Sequence, residues 1–199
     1  MIGLIDYGLG NLKSFSNILK NFNTTFLIPK DNNEIQQCSR YILPGVGSFD
    51  EAVGRLKSEN YFKCLENEVI KKKKKILGIC VGMQIFLNNS EEGDFPGLGW
   101  VNGLVKKFPV NNLRVPHIGW NKLTIRKQNG LFKDLEDPEF YFLHSYYCSI
   151  KYSNEIVAIT NYSNDFCSCY VSENISGIQF HPEKSHDKGI KLLKNFVNL

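Results

Sequence analysis

Apolar residues fall along this chain in two patterns, short continuous runs and spaced stripes. In the first half the runs cover Ile2 to Ile5, Thr25 to Ile28, Tyr41 to Leu43 and Ile76 to Ile79. Between them, Asn11 to Asn21 and Phe49 to Val69 carry apolar residues at the spacing of one helix face. Strand-like runs alternating with helical stretches predict an α/β fold, a central, mostly parallel sheet flanked by helices. The second half has a different rhythm. Leu104 to Phe108, Asn121 to Ile125, Phe140 to Leu143, Ile156 to Asn161, Cys167 to Val171 and Ile175 to Phe180 read as strands with short polar connections, which adds antiparallel strands. Asp187 to Val197 then predicts a closing helix, with Ile190, Leu192, Leu193, Phe196 and Val197 as its apolar positions. No repeat or low-complexity linker divides the chain, so a single domain over residues 1–199 is expected.

The run at Ile76 leads into Gly78-Ile79-Cys80-Val81-Gly82-Met83-Gln84. A reactive residue between two glycines at a strand-to-helix turn is the layout of a nucleophile elbow, where the missing side chains relieve crowding. The start of a helix also offers the positive end of a dipole, which favours a thiolate. A sulfur nucleophile needs a base, and the base needs an orienting group. His181 and Glu183 follow the strand ending at Phe180 and offer both, with Pro182 ending the strand. The residues alone leave two other readings open: a strand-capping histidine beside a surface carboxylate, and a metal held by His181, Glu183 and His186. No spacing elsewhere completes a metal pattern, so no metal is expected.

Backbone donors for an oxyanion are available at Val81, which follows the nucleophile, and in Pro44-Gly45-Val46-Gly47. There Gly45 and Gly47 would let the peptide around Val46 turn its N–H into or out of a site; an ordinary strand-to-helix turn is the alternative. Asp6-Tyr7-Gly8-Leu9-Gly10-Asn11 lacks the third glycine and the acidic partner of a dinucleotide fingerprint. No cofactor is expected.

Composition narrows the class further. The formal charge of +4 owes much to Lys71 through Lys75, which reads as the solvated end of a helix and not as a nucleic-acid patch. The N-terminus has no basic start or long apolar stretch, and no run is long enough to span a bilayer, so a cytoplasmic protein without membrane contact is expected. Cys38, Cys64, Cys80, Cys148, Cys167 and Cys169 follow no disulfide framework and should be thiols. Cys167 and Cys169 would share one face of a strand.

Taken in order, these motifs resemble the class I (triad-type) glutamine amidotransferases, and most nearly the glutaminase subunits of imidazole glycerol phosphate synthase. The resemblance covers essentially the whole chain and adds Ser90-Glu91-Glu92-Gly93, Pro116-His117-Ile118-Gly119-Trp120-Asn121 and His144-Ser145-Tyr146 to the segments above. Val81 stands where the family usually has leucine; only its backbone amide matters. The resemblance implies Cys80 as nucleophile, His181 as general base and then acid, and Glu183 as its orienting carboxylate. It implies an oxyanion hole at Val46, Gly47 and Val81, and substrate recognition by Gln84, Glu92, Ser145 and Tyr146. Glu92 would meet the ammonium of L-glutamine, and Gln84 with Ser145-Tyr146 would donate to its carboxylate. With these motifs filling the chain, the consumer of ammonia must lie on a separate polypeptide. The family's is a (β/α)8-barrel cyclase forming a heterodimer, which Asn11, His117, Trp120, Asn121 and Lys184 would face. The competing readings are a paralogue serving a surface-glycan sugar amidotransferase, a cysteine hydrolase on a similar elbow and a catalytically silent regulatory subunit.

Overall fold

The computed structural model describes residues 1–22, 24–109 and 114–199. Its first half alternates strands and helices: β1 (Ile2–Leu4), α1 (Leu12–Lys20), β2 (Phe26–Leu27), α2 (Asn32–Gln37), β3 (Arg40–Gly45), α3 (Phe49–Ser58), α4 (Phe62–Glu66) and β4 (Lys75–Cys80). β1 pairs in parallel with β2 and β3, and β3 with β4. Ile2 to Leu4, Tyr41 to Gly45 and Ile76 to Cys80 are buried without interruption. Parallel strands covered on both faces require such unbroken apolar runs.

The second half comprises α5 (Val81–Gln84), β5 (Asn89–Ser90), β6 (Gly103–Lys107), β7 (His117–Lys122), β8 (Thr124–Ile125), β9 (Glu139–His144), β10 (Tyr146–Ile150), β11 (Ile156–Tyr162), β12 (Asn164–Ser172), β13 (Ile175–Ile178) and α6 (His186–Asn198). β13 returns to lie parallel to β4, and antiparallel β12, β10 and β6 extend the sheet to the order β2-β1-β3-β4-β13-β12-β10-β6-β5. β7 and β9 form a two-stranded antiparallel ribbon of their own, with Ile118 opposite Leu143 and Trp120 opposite Tyr141. The mixed α/β architecture is the one the apolar pattern predicts.

Four local departures have physical causes. The single helical stretch expected over Phe49 to Val69 is broken. α3 buries Phe49, Ala52, Val53 and Leu56, then Glu59 is extended, and buried Tyr61 donates its hydroxyl to the Asp6 carbonyl. α2 is invisible to periodicity because Ile35 is its only buried residue. Its signal is polar: Asp31 accepts from the Glu34 amide at 2.9 Å while Glu34 accepts from the Lys30 amide at 2.7 Å. The strand expected over Asn121 to Ile125 is split between β7 and β8, with Leu123 turned into the core and its amide bonded to the Pro138 carbonyl. β10 was missed because it follows β9 after Ser145 alone.

The lysine run has a structural use. Glu68 is fully buried and pairs with Lys72 at 2.6 Å and Lys74 at 2.5 Å. Burial alone would raise its pKa, but the two lysines reverse the sign and lower it. Lys73 pairs with Glu173, and Lys75 donates to the carbonyl of Leu199. Lys74 also bonds the carbonyls of Gln36 and Cys38, so this run ties the base of β4 to its surroundings.

Candidate active site

β4 delivers Cys80 at its C-terminal end, where the backbone takes φ 55° and ψ −116°. A non-glycine residue there is strained by about 1–3 kcal/mol, and such strain persists only where neighbours enforce it. Main-chain packing provides the enforcement. A Cβ on Gly82 would lie 2.2 Å from the Leu43 carbonyl oxygen, and one on Gly78 would lie 2.5 Å from the Gly82 carbonyl oxygen. Both glycines are required by close approach of β3, β4 and the turn. The helix that follows, α5, is a single turn.

His181 arrives from β13 through Gln179 and Phe180. Its amide donates to the Tyr141 carbonyl at 2.8 Å, and its carbonyl accepts from the Ser185 hydroxyl at 2.6 Å. Ser185 in turn accepts from the Tyr141 amide, so one buried hydroxyl locks the histidine backbone to β9. Nδ1 of His181 lies 2.9 Å from Oε1 of Glu183, both side chains being only 4% exposed. Among the described residues, Nε2 is buried without a conventional hydrogen-bond partner. Burial opposes charge on this ring, but Cys80 and Glu183 beside it more than offset that and raise its pKa to about 10. A thiol, an imidazole that can hold its proton and an orienting carboxylate are thus assembled from β4 and the segment after β13.

These groups open on a cleft of about 360 Å³, large enough for an amino-acid substrate. The sequence-predicted Val46, Gly47, Val81, Gln84, Glu92, Ser145 and Tyr146 all line it, as do Asn11 and Lys184. Gly47 has φ 93°, a conformation that favours glycine. Burial raises the pKa of Glu92, although its carboxylate accepts from the Phe49 amide at the start of α3 (2.9 Å), a bond that works against the shift. Gln84 requires a correction. Its amide nitrogen donates to the Tyr146 carbonyl at 3.1 Å and to Oε1 of Gln179 at 3.0 Å, so both protons are committed. It has no donor left for a substrate carboxylate, and its remaining oxygen can only accept.

The expected partner-facing residues divide. Trp120 is exposed, stacked on His186 at 5.2 Å, and Lys184 lies over the Tyr141 ring at 5.5 Å. His186, the third member of the metal alternative, is thereby directed to Trp120. Asn11 is exposed and caps α1 through the Ser14 amide. His117 is a second correction: it is 3% exposed, flat between Phe142 and Tyr162, and bonded inward to His144 at 3.0 Å. Asn121, at the edge, reaches His117 and the Asn161 carbonyl. Sequence reasoning missed Ile118 and Leu143, which face each other across the ribbon and are 57% and 38% exposed. Alternation along β7 from Trp120 would have found Ile118. It also missed Gln179, whose amide lies 3.7 Å from Cys80 Sγ.

The family model for "Glutamine amidotransferase class-I" matches residues 4–199, and the chain belongs to that family. Among solved structures the fold is similar to PurLQS from Thermotoga maritima, at TM-score 0.76 and 14% identity over 99% of this chain and 97% of that one. It is also similar to a glutamine amidotransferase from the same organism, at TM-score 0.66 and 19% identity over 99% and 80%. Within the family, the chain is 48% identical over its full length, and that of the relative, to "Imidazole glycerol phosphate synthase subunit HisH" of Leptospira borgpetersenii. It is 44% identical, again over the whole of both chains, to the protein so named in Bdellovibrio bacteriovorus. These relatives place it among the HisH subunits and favour that reading over a glycan-pathway paralogue. Among the described residues no helix is long and apolar enough to cross a membrane.

Proposed function

We propose that this chain, as one glutaminase unit, hydrolyses L-glutamine for imidazole glycerol phosphate synthase. The observation that carries the reading is the convergence of Cys80, His181 and Glu183 on a cleft of amino-acid size. The thiol of Cys80 passes its proton to His181, and the thiolate attacks the side-chain amide carbon of glutamine. Negative charge develops on the amide oxygen and is met by backbone N–H groups at Val81 and in the Val46–Gly47 segment; each such donor contributes about 2.7–4 kcal/mol. His181 gives a proton to the departing nitrogen, ammonia leaves, and a glutamyl thioester remains. His181, held by Glu183, then takes a proton from water as it attacks the thioester, releasing glutamate and restoring the thiol. Glu92 and the free oxygen of Gln84 suit the substrate ammonium, and the Ser145-Tyr146 segment suits its carboxylate.

The ammonia is consumed on a separate chain, a (β/α)8-barrel cyclase. Ile118, Trp120 and Leu143 form an exposed apolar strip, and Leu143 lines the cleft together with Asn11 and Lys184, which suits a docking surface over the site mouth. Cys80→Ala, assayed for ammonia release with the cyclase present, is expected to lose at least about a thousandfold in turnover. It should also fail to form the covalent adduct that diazo-oxo-norleucine gives with the unmodified chain. Retained turnover would remove Cys80 from the chemistry, and turnover without any requirement for glutamine would favour a general hydrolase.

A further inference from the structure

A single backbone carbonyl fixes the direction of a hydrogen-bond chain that ends on the nucleophile. The Tyr146 carbonyl can only accept. It takes one proton from Gln84 Nε2, and the other proton of that nitrogen goes to Oε1 of Gln179. The amide of Gln179 is thereby oriented, and its NH₂ faces Cys80 Sγ at 3.7 Å, a separation suited to the larger sulfur atom. Gln179 is fully buried, and its own backbone amide is tied to the Ser168 carbonyl at 3.0 Å.

The same carbonyl orders a second arm. His144 Nδ1, 2.8 Å away, must donate to it. Held neutral by burial, His144 then offers Nε2 as an acceptor, so Nδ1 of His117 donates to it at 3.0 Å. Nε2 of His117 accepts from Asn121 at 3.3 Å. Two arms of donors therefore converge on the Tyr146 carbonyl, one from Asn121 through His117 and His144, the other from Gln84, whose second proton continues the line through Gln179 to the sulfur.

We infer that Gln179 is a positioning residue for Cys80, its amide N–H turned to the sulfur by Gln84 and the Tyr146 carbonyl so that it orients and stabilises the thiolate. The inference rests on the reading of Cys80 as the nucleophile. Gln179 touches neither glutamine nor water in that scheme; it acts through Cys80. A hydrogen bond to an anion is stronger than one to a neutral group, so its loss should weaken the charged form selectively.

The test is the pH dependence of Cys80 alkylation by iodoacetamide, followed at that peptide by mass spectrometry in the folded full chain, beside steady-state glutaminase kinetics with the cyclase. Gln179→Met keeps size and removes the donor. It is expected to move the midpoint of the alkylation profile upward by about one pH unit. The matching kinetic loss is about tenfold in kcat with KM little changed. Gln84→Met, which frees the Gln179 amide to turn over, should move the midpoint in the same direction by less. The double variant should move it no further than Gln179→Met alone, because the released amide is then absent. Where Gln179→Met does not fold, Gln84→Met with the contact residue intact gives the same readout. An unmoved midpoint in both, or additive shifts in the double variant, would overturn the role of Gln179. Full turnover by Cys80→Ala would instead sink the nucleophile assignment, so the two failures are distinct.

Discussion

His117 and His144 lie side by side beneath the site with their ring nitrogens committed, and burial lowers their pKa values to about 4 and about 3. For His144, the bond to the Tyr146 carbonyl works against that shift, and the neighbouring His117 and His181 add to it. A histidine with a depressed folded pKa supports the fold above its unfolded value near 6.5 and withdraws that support as pH falls towards the folded value. Each ring therefore removes up to about 1.4 kcal/mol of stability per pH unit in this window. Urea unfolding at pH 7 and pH 5 should differ by about 2–4 kcal/mol. His181 works in the opposite sense: its raised pKa contributes below about 6.5 and is lost as pH rises through about 10. An unchanged midpoint between pH 7 and 5 would mean that the two buried rings are not neutral. At this scale, what the sequence revealed depended on chain distance. His181 and Glu183 are two residues apart, and Cys80 sits between its own glycines, so their chemistry was readable locally. The burial of His117 and the contact of Gln179 with Cys80 depend on strands far apart in sequence.

Elements show the same division. Strand runs in the parallel core were legible because burial on both faces forces apolar residues at every position, as in β3 and β4. α2 was not, having one buried residue and a purely polar cap. The end of β4 near Glu68 yields a prediction that separates buried from exposed charge. The side chain of Lys74 is 22% exposed and that of Lys72 is 55% exposed, although both reach the same buried carboxylate. Lys74→Met should therefore destabilise by about 2–3 kcal/mol, since it leaves a buried charge half paired and frees two carbonyls. Lys72→Met should cost less than about 1 kcal/mol. Denaturant titration of the two variants measures the difference, and equal effects would show that Glu68 does not depend on the more enclosed partner.

At the scale of the molecule, Cys80, His181 and Glu183, the groups we propose for the chemistry, and the apolar ribbon occupy one end of the sheet. The lysine-bound carboxylate sits at the other end of β4. The family architecture was visible from the order of motifs along the chain, but the exposed strip proposed for docking was not, because Ile118 and Leu143 become neighbours only when β7 and β9 pair. Ile118→Asp should leave folding and urea stability nearly unchanged, since the side chain is already wet. It should weaken binding to the cyclase by at least about tenfold in a titration, because the aspartate would be desolvated against an apolar surface. Unaltered affinity would move the docking surface elsewhere.

The glycines at the elbow have a consequence for how this protein can vary. A new Cβ at Gly82 would strike the Leu43 carbonyl oxygen, and one at Gly78 would strike the Gly82 carbonyl oxygen besides the Phe86 ring; both oxygens belong to the main chain. No substitution of a neighbouring side chain can make room against such atoms. A chain damaged there has no compensating second change within reach, so in any mutating population these two codons recover by reversion, while the exposed lysines around the base of β4 are free to drift.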